Sequence, residues 1–367
     1  MNNPALNLLI DHVQSAQAQG LQLCIRGGGT KDFYGEQPQG TLLDTRALQG
    51  ISSYEPSELV VTVRAGTPLV ELEDALAAQG QHLAFDPPRF APGGTVGGMV
   101  AAGLSGPARA SVGAVRDFVL GATILNGQGR VLSFGGQVIK NVAGYDVSRL
   151  MAGAMGTLGV ILEVSLKVLP RPPATATLRF AMNQAQAIDR LNRWSGQPLP
   201  INASAWYQGV LHLRLSGAKA AVQAAARQLA QSHGGEVLDE AEAHAFWLGL
   251  RDQAASFFST DHPAPLWRVA VPATTAPLAL PEDPAAADAT LIEWGGAQRW
   301  LRTSAPTAAV RRVAAEVGGH ATLFRAAHPR TAVFTPLTPP LAQIHQALKK
   351  SFDPHQLFNP GRMYSDL

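Results

Sequence analysis

The chain has 367 residues, of which 46% are hydrophobic and 15% charged, so it is long enough for about two globular domains. Its formal net charge of +2 argues against a broad electrostatic surface for nucleic acid or anionic lipid. The single cysteine, Cys24, excludes an internal disulfide and a cysteine-ligated iron–sulfur cluster within this chain.

Residues 1–20 lack the apolar core of a signal peptide. No apolar run reaches the roughly 20 residues that a membrane helix needs. We therefore expect a cytoplasmic protein, and peripheral attachment to the inner membrane through partners stays open.

The first 170 residues are predicted to form short strands interrupted by two helices. Aliphatic runs bounded by glycine, proline or aspartate predict strands over residues 21–26, 41–43, 59–63, 119–125, 131–134 and 160–169. Thr67 and Pro68 open a helix that ends at Gly80, because an N-cap residue, a first-turn proline and a C′ glycine are all in place. A second, short helix follows Thr95.

Prolines at positions 170, 172 and 173 mark a domain boundary, because closely spaced prolines end a strand and resist helix formation. The region beyond is predicted to be an α+β sandwich, with strands over 175–181, 210–215, 290–294, 298–303 and 322–325 and helices over 184–194, 219–232 and 307–317. Residues 260–290 are rich in proline and alanine and are predicted to be mostly loop. The aromatic runs 246–248 and 257–258 are assigned to one helix, with core packing favoured over a partner interface.

Two glycine-rich runs are candidate anion sites. In the first, Gly27, Gly28 and Gly29 follow an apolar strand and leave main-chain amides uncovered, so that they can form an anion-binding nest beside Thr30 and Lys31. A phosphate-containing ligand and a plain flexible turn explain this run about equally well. In the second run, residues 91–106, a short helix can point its amides at an anion, and tight helix–sheet packing is the alternative. Neither run matches the Rossmann or the Walker fingerprint.

Several motifs together resemble the vanillyl-alcohol-oxidase/para-cresol-methylhydroxylase (VAO/PCMH) class of FAD-binding flavoproteins. In the first 170 residues they are RGGGT at 26–30, GTVGG at 94–98, GAVRD at 113–117, LNGQG at 125–129 and GTLGVI at 156–161. The run DPHQLFNPGR at 353–362 resembles the ending of that class. Within the class, KNVAGYD at 140–146 and NPGRMY at 359–364 are most similar to the FAD-binding subunits of glycolate-oxidising complexes.

The resemblance implies an α+β fold with a two-part FAD-binding domain over residues 1–172, completed by the C-terminal tail 336–367, and a smaller α+β cap domain over 173–335. It implies FAD as the cofactor. Members with covalent flavin often carry histidine where this chain has Thr30, so non-covalent FAD is expected. No metal site is predicted. The residues implied to bind the cofactor are Arg26, Gly27, Gly28, Gly29, Thr30, Lys31, Asp32, Pro87, Gly94, Thr95, Val96, Gly97, Gly98, Gly103, Ser105, Gly106, Arg109, Gly113, Gly156, Gly159, Val160, Ile161 and Asn359.

The function implied by the resemblance is that of the FAD-binding subunit of a glycolate oxidase or dehydrogenase complex, which converts glycolate, a 2-hydroxy acid, to glyoxylate. Its partners would be a second FAD-binding, catalytic subunit and an iron–sulfur subunit that accepts electrons from the flavin. Two alternatives stay open. The chain could be a self-sufficient FAD-dependent dehydrogenase for a 2-hydroxy acid or alcohol, or a scaffold subunit that has lost the cofactor.

The catalytic residues are not evident from the sequence. Flavin oxidation of a 2-hydroxy acid needs a cation for the carboxylate and a base for the hydroxyl proton. Arg325 and His328 are the candidates, although a surface loop after a strand is the favoured interpretation of their run. The histidine-rich cap motif of related catalytic dehydrogenases is not found, so we expect the chain to act only within a complex.

Overall fold

The computed structural model describes residues 3–136, 146–326 and 332–367. The N-terminal part, up to residue 172, contributes α1 (Pro4–Gln19), β1 (Leu23–Arg26), β2 (Thr41–Asp44), β3 (Ile51–Glu55), β4 (Val60–Arg64), α2 (Leu69–Ala78), β5 (Gln81–His82), α3 (Val96–Ala102), α4 (Arg109–Val112), α5 (Val115–Phe118), β6 (Val119–Leu125), β7 (Val131–Gly135), α6 (Val147–Leu150), β8 (Val160–Lys167) and β9 (Leu169–Pro170). Strands β1 and β2 form a parallel pair, and β5 pairs with β9. The remaining strands form an antiparallel sheet in the order β3-β4-β8-β6-β7.

Helix α1 was not predicted, although its ends carry clear signals. The Asn3 side chain accepts hydrogen bonds from the amides of Ala5 and Leu6, and Gly20 ends the helix in the left-handed conformation (φ 64°). Its apolar stripe packs on the parallel pair and on the C-terminal tail in a core that contains Leu9, Val13, Ala16, Leu23, Leu43, Leu357 and Phe358.

The larger sheet of the N-terminal part is covered by short helices. Strand β8 lies at its centre and is buried along most of its length, which explains its nearly continuous aliphatic sequence. Helix α2 packs against the sheet through Leu69, Leu72 and Leu76, three residues at helical spacing. The sheet and its helices form one core and hold the turn after β1 at the edge of this part.

The second part of the chain, residues 173–335, forms a larger antiparallel sheet. Its elements are β10 (Ala174–Ala181), α7 (Gln184–Ser195), β11 (Ile201–Tyr207), β12 (Val210–Gly217), α8 (Lys219–His233), β13 (Glu236–Val237), α9 (Glu240–Arg251), β14 (Leu266–Ala270), β15 (Thr290–Glu293), β16 (Gln298–Arg302), α10 (Thr307–Glu316) and β17 (His320–Arg325). The strand order in the described residues is β13-β10-β12-β11-β15-β16-β14-β17.

The two faces of this sheet have different neighbours. One face carries α7, α8 and α10 and forms two apolar cores with them. The opposite face turns Trp300 and Phe324 towards the N-terminal part, where they share a core with Tyr34, Leu104 and Met155. The two parts are therefore joined by packed side chains rather than by a linker alone.

The chain returns to the N-terminal part through α11 (Pro339–Phe352) and the residues after it. The Leu23 amide donates to the Leu357 carbonyl at 2.7 Å, and the Asn359 amide donates to the Leu23 carbonyl at 2.9 Å. The tail thus lies alongside β1, directly before the first glycine run.

Two sequence-based expectations differ from the structure. Strand β14 lies inside the stretch predicted to be loop, because its pairing with β16 and β17 outweighs the local proline and alanine content. Helix α9 ends at Arg251, so Phe257 and Phe258 belong to a separate 3₁₀ turn rather than to the same helix. Both of these phenylalanines are buried, in agreement with core packing.

No helix in the part of the chain that the structure describes combines the length and the apolar character needed to cross a membrane.

Candidate functional site

The sharp turn after β1 lines a cavity of about 90 Å³. Ten of the predicted cofactor-binding residues line it, namely Arg26, Gly27, Gly28, Gly29, Thr30, Lys31, Asp32, Thr95, Gly98 and Asn359. The other lining residues were not among the predicted binding residues, and they are Ile25, Tyr34, Ala101, Ala102, Met155 and Arg362.

The first glycine run lines this cavity and has main-chain donors that no protein group uses within the described ranges. Within the described ranges, the amides of residues 27–31 donate to no protein acceptor. The turn is closed by the Asp32 amide, which donates to the Gly29 carbonyl at 3.2 Å, and Gly29 takes a left-handed φ of 72°. An ion pair of 2.7 Å between Arg26 Nε and Asp32 Oδ2 joins the two ends of the turn. Five successive free amides in such a turn suit an anion.

The two glycine runs touch each other. A Cβ on Gly28 would lie 1.7 Å from the Gly93 carbonyl oxygen, and a Cβ on Gly27 would lie 2.3 Å from Thr95 Oγ1. Position 28 therefore requires glycine because the Gly93 backbone leaves no room for a side chain, and a side chain at position 27 would have to displace that of Thr95.

The second run uses its amides within the protein. The Val96 amide donates to the Thr67 carbonyl at 2.9 Å, and the Gly97 amide donates to the Ala65 carbonyl at 2.8 Å. The Gly98 amide donates to Thr95 Oγ1, which caps α3. A Cβ on Gly97 would lie 2.6 Å from the Ala65 Cβ. The amides of Val96 and Gly97 are therefore used in close packing, which was the alternative considered for this run, and are not available to an anion.

Lys31 supplies a cation beside the free amides. Its Nζ lies 3.4 Å from Thr30 Oγ1 and 5.6 Å from the centre of the Phe90 ring. Burial lowers the pKa of Lys31 to about 8, with Asp252 acting in the opposite direction. No carboxylate in the described residues lies within ion-pair distance of its amine. The five amides and this cation fit the diphosphate of a dinucleotide.

The tail reaches the cavity through Asn359. Its Oδ1 accepts the Ile25 amide at 2.7 Å, and its Nδ2 donates to the Met155 carbonyl at 2.6 Å. A Cβ on Gly156 would lie 2.6 Å from Nδ2, so the glycine makes room for this amide. Asn359 lines the cavity, but both ends of its side-chain amide already hold protein groups in place.

The other predicted binding residues lie farther along the interface or inside the N-terminal part. Ser105 and Gly106 line a crevice of about 20 Å³ against the second part, and Pro87 lines an open cleft nearby. The Trp294 indole donates to the Gly106 carbonyl at 3.0 Å, and its ring lies 4.4 Å from the Arg109 guanidinium. The remaining residues meet protein neighbours: Gly94 contacts Thr30, Gly103 contacts Gly153, Gly113 contacts Asp117, and Gly159, Val160 and Ile161 lie beside or within β8.

A polar cluster on the second part faces the same crevice. Glu293 Oε2 accepts the Trp300 indole at 2.6 Å and the Gln298 amide at 3.2 Å, and burial raises the pKa of Glu293 to about 7. Arg268 donates to Gln298 at 2.8 Å and has no carboxylate within ion-pair distance in the described residues. A cation beside a carboxyl group that titrates near neutral pH can hold a small anion and exchange a proton. The sequence did not indicate this cluster.

Arg325 is the last residue of β17 and lies at the interface, and the loop predicted after this strand lies outside the described residues from position 327. Its guanidinium lies 4.5 Å from the centre of the Phe33 ring, directly after the first glycine run, and burial lowers its pKa to about 10. His328, the other candidate, lies outside the described residues.

Aromatic rings close the space between the cavity and the crevice. Phe324 packs on Phe33 at 5.5 Å, on Tyr34 at 5.2 Å and on Trp300 at 4.8 Å between ring centres. Cofactor pockets usually enclose about 300 to 1,000 Å³. In this arrangement the enclosed space fits the diphosphate end of FAD and not the whole molecule.

Comparison with known proteins identifies the family. A family model described as FAD binding domain matches residues 7–135. The glycolate oxidase subunit GlcE of Escherichia coli (strain K12) is 45% identical over 98% of this chain and 97% of that protein. The chain belongs to the GlcE family of FAD-binding oxidoreductases. Its membership confirms the predictions of family, of an FAD-dependent oxidoreductase and of FAD as the cofactor.

More distant matches agree with this family. The glycolate oxidase subunit GlcD of Bacillus subtilis (strain 168) is 31% identical over 42% of this chain and 33% of that protein. The solved structure of an alkyldihydroxyacetonephosphate synthase superposes with a TM-score of 0.68 at 16% identity and covers 96% of this chain and 75% of that one. The structural match confirms the predicted α+β fold class of the GlcE-like chain.

Proposed function

We propose that this chain is the FAD-binding subunit of a complex that oxidises glycolate to glyoxylate, and that it holds FAD non-covalently. One observation carries the proposal: the free amides of residues 27–31 and the Lys31 cation surround one cavity. The similarity to GlcE over nearly the whole chain supports glycolate as the substrate. In this proposal, residues 1–172 and the tail 336–367 form the FAD-binding domain, and residues 173–335 form the cap.

The residues have separate roles in this proposal. The amides of residues 27–31 and Lys31 bind the diphosphate, and Arg26 and Asp32 hold the turn. FAD, when bound, supplies the acceptor for the hydride of the substrate. On the cap side, Arg268 suits a small anion, although the proposal gives the oxidation of the substrate to the catalytic partner subunit. Glu293, with a pKa of about 7, suits the transfer of a proton near neutral pH.

The partners in this proposal are a second FAD-binding, catalytic subunit and an iron–sulfur subunit. The E. coli relative is named as a subunit of glycolate oxidase, which supports a complex of several different chains. The single cysteine of this chain leaves a four-cysteine cluster to another subunit. Electrons would then leave the flavin for a cluster that this chain does not carry.

Purification of a tagged chain from its native host tests the assembly. We expect flavin and iron in the eluate, turnover of glycolate with a dye acceptor by the assembly, and no turnover by the isolated chain. Turnover by the isolated chain would contradict the dependent subunit and favour the self-sufficient dehydrogenase. A colourless chain that does not bind added FAD would favour the scaffold.

The proposal also requires movement at the interface. Because aromatic rings fill the space beyond the cavity, the contacts of Trp294 and Trp300 must yield when the flavin ring enters. We expect FAD to change the intrinsic fluorescence of wild type and to change that of Trp300→Phe less. Binding of FAD with no difference between the two proteins would contradict this requirement.

A further inference from the structure

The buried Asp353 carboxylate shapes the tail near its end. Its Oδ1 accepts the Leu357 amide at 3.0 Å, and its Oδ2 accepts the Phe358 amide at 2.8 Å and Lys349 Nζ at 2.8 Å. This tight turn sends the next residues back towards β1 and brings Arg362 to the first glycine run.

Arg362 contacts the main chain directly after that run. Its guanidinium donates to the Asp32 carbonyl at 3.2 Å, to the Lys31 carbonyl at 3.4 Å and to the Glu36 carbonyl. The Glu36 amide donates back to the Arg362 carbonyl at 3.0 Å. The side chain is 7% exposed, so solvent competes little for these hydrogen bonds.

These contacts fix the orientation of peptide groups. A peptide group is planar, and its carbonyl and amide point in opposite directions. The Lys31 carbonyl and the Asp32 amide belong to the same peptide group. When Arg362 holds this carbonyl, the Asp32 amide therefore points the other way, towards the Gly29 carbonyl, to which it donates at 3.2 Å. Residues 27–31, whose amides donate to no acceptor within the described ranges, line the cavity beside this closed turn.

We propose that Arg362 is a positioning residue for FAD, because it holds the turn in the conformation in which the free amides meet the diphosphate. This inference rests on the proposed function of the cavity. The planar fork of arginine reaches several carbonyls at once, whereas a lysine amine is a point charge. Charge at this position is therefore not sufficient, and the shape of the guanidinium is required.

Equilibrium titration with FAD tests the inference on Arg362→Lys and Arg362→Met. We expect both variants to lose affinity for FAD by about tenfold or more, because hydrogen bonds from a charged group are among the stronger ones. ADP, which contains the diphosphate, is expected to lose competing affinity in parallel, and riboflavin, which lacks it, is expected to bind unchanged. Arg193→Met is the matched control, because Arg193 is an exposed arginine paired with Asp189 on α7.

The outcomes separate this inference from the proposed function. Failure of the wild type to bind FAD would overturn the function of the cavity. If the wild type binds FAD and Arg362→Lys keeps its affinity within about twofold, the residue acts by charge alone and the positioning role is wrong. Equal losses for FAD and riboflavin would indicate general loosening of the protein and would also overturn it. Circular dichroism confirms that each variant is folded before titration.

Discussion

The two glycine-rich runs of the N-terminal part differ in what their amides do. In the first run the amides of residues 27–31 donate to no acceptor among the described residues, and these residues line a cavity. In the second run the amides of Val96 and Gly97 donate to the carbonyls of Thr67 and Ala65. Similar sequences therefore leave main-chain amides free in one place and bond them to neighbouring backbone in the other.

The difference lies in the neighbouring backbone and not in the glycine content. Carbonyls of the β4–α2 connection lie directly opposite α3 and take its first amides. The Gly93 carbonyl lies against Gly28, but within the described ranges no amide of residues 27–31 donates to it or to another acceptor, and Lys31 adds a cation there. A glycine-rich run indicates a ligand site only when its donors have no partner in the fold.

The substitution Gly28→Ala is expected to have the largest effect on the first run. The new Cβ would lie 1.7 Å from the Gly93 carbonyl oxygen, so the turn must shift and its amides leave the cavity. We expect affinity for FAD to fall by about a hundredfold, measured by flavin fluorescence titration. Gly196→Ala is the control, because a Cβ there would lie 3.7 Å from the Arg193 carbonyl oxygen, which is an ordinary contact distance. If Gly28→Ala binds FAD as tightly as wild type, the amides of the first run do not bind the cofactor, and the proposed difference between the two runs is wrong.

The substitution Gly97→Ala tests the second run. Its Cβ would lie 2.6 Å from the Ala65 Cβ, which overpacks the contact between α3 and the segment after β4. We expect the free energy of unfolding to fall by about 1 to 3 kcal/mol in urea denaturation. The folded protein should bind FAD nearly as well as wild type. A selective loss of FAD affinity at full stability would assign ligand binding to this run as well.

The substitution Lys31→Met tests the cation that distinguishes the first run. We expect the Kd for FAD to rise about tenfold at pH 7 because one charge contact with the diphosphate is lost. The pKa of Lys31 is lowered to about 8, and only its protonated form attracts the diphosphate. Wild-type affinity should therefore fall as the pH rises from 7 to 9, and the variant should show no such slope. Parallel pH profiles would contradict this role.

The substitution Thr95→Ala is expected to have the smallest effect. It removes the hydroxyl that caps α3 by accepting the Gly98 amide at 3.2 Å. We expect a loss of about 1 kcal/mol in the free energy of unfolding, and Thr95→Ser should restore most of it. A loss in Thr95→Ser as large as that in Thr95→Ala would show that the methyl group matters more than the cap.

Local signals in the sequence predicted many of the elements. Strand β6 was predicted at the bounds that the structure has, and α7 and α10 were predicted to within a residue, because both helices have clear apolar spacing and Asn183 caps α7. Strands β3 and β11 were missed. They carry serine, asparagine or glutamate at several positions, and pairing with neighbouring strands stabilises them in spite of that.

The site was only partly predictable. The first glycine run follows a strand and was evident, whereas Arg268 and Glu293 come from separate strands of the second sheet and carry no pattern of their own. Arg362 lies in the DPHQLFNPGR motif at 353–362. Its contacts with the Lys31 and Asp32 carbonyls depend on how the tail packs against residues more than 300 positions earlier in the chain. Tertiary packing brings these residues together, and local patterns in the sequence do not reveal it.

The most direct test of the central claim compares the Kd of the purified chain for FAD with its Kd for riboflavin, which has the same ring system and no phosphate. If the amides of residues 27–31 and Lys31 bind the diphosphate, FAD should bind at least about a hundredfold more tightly. Equal affinity for the two ligands would contradict the account.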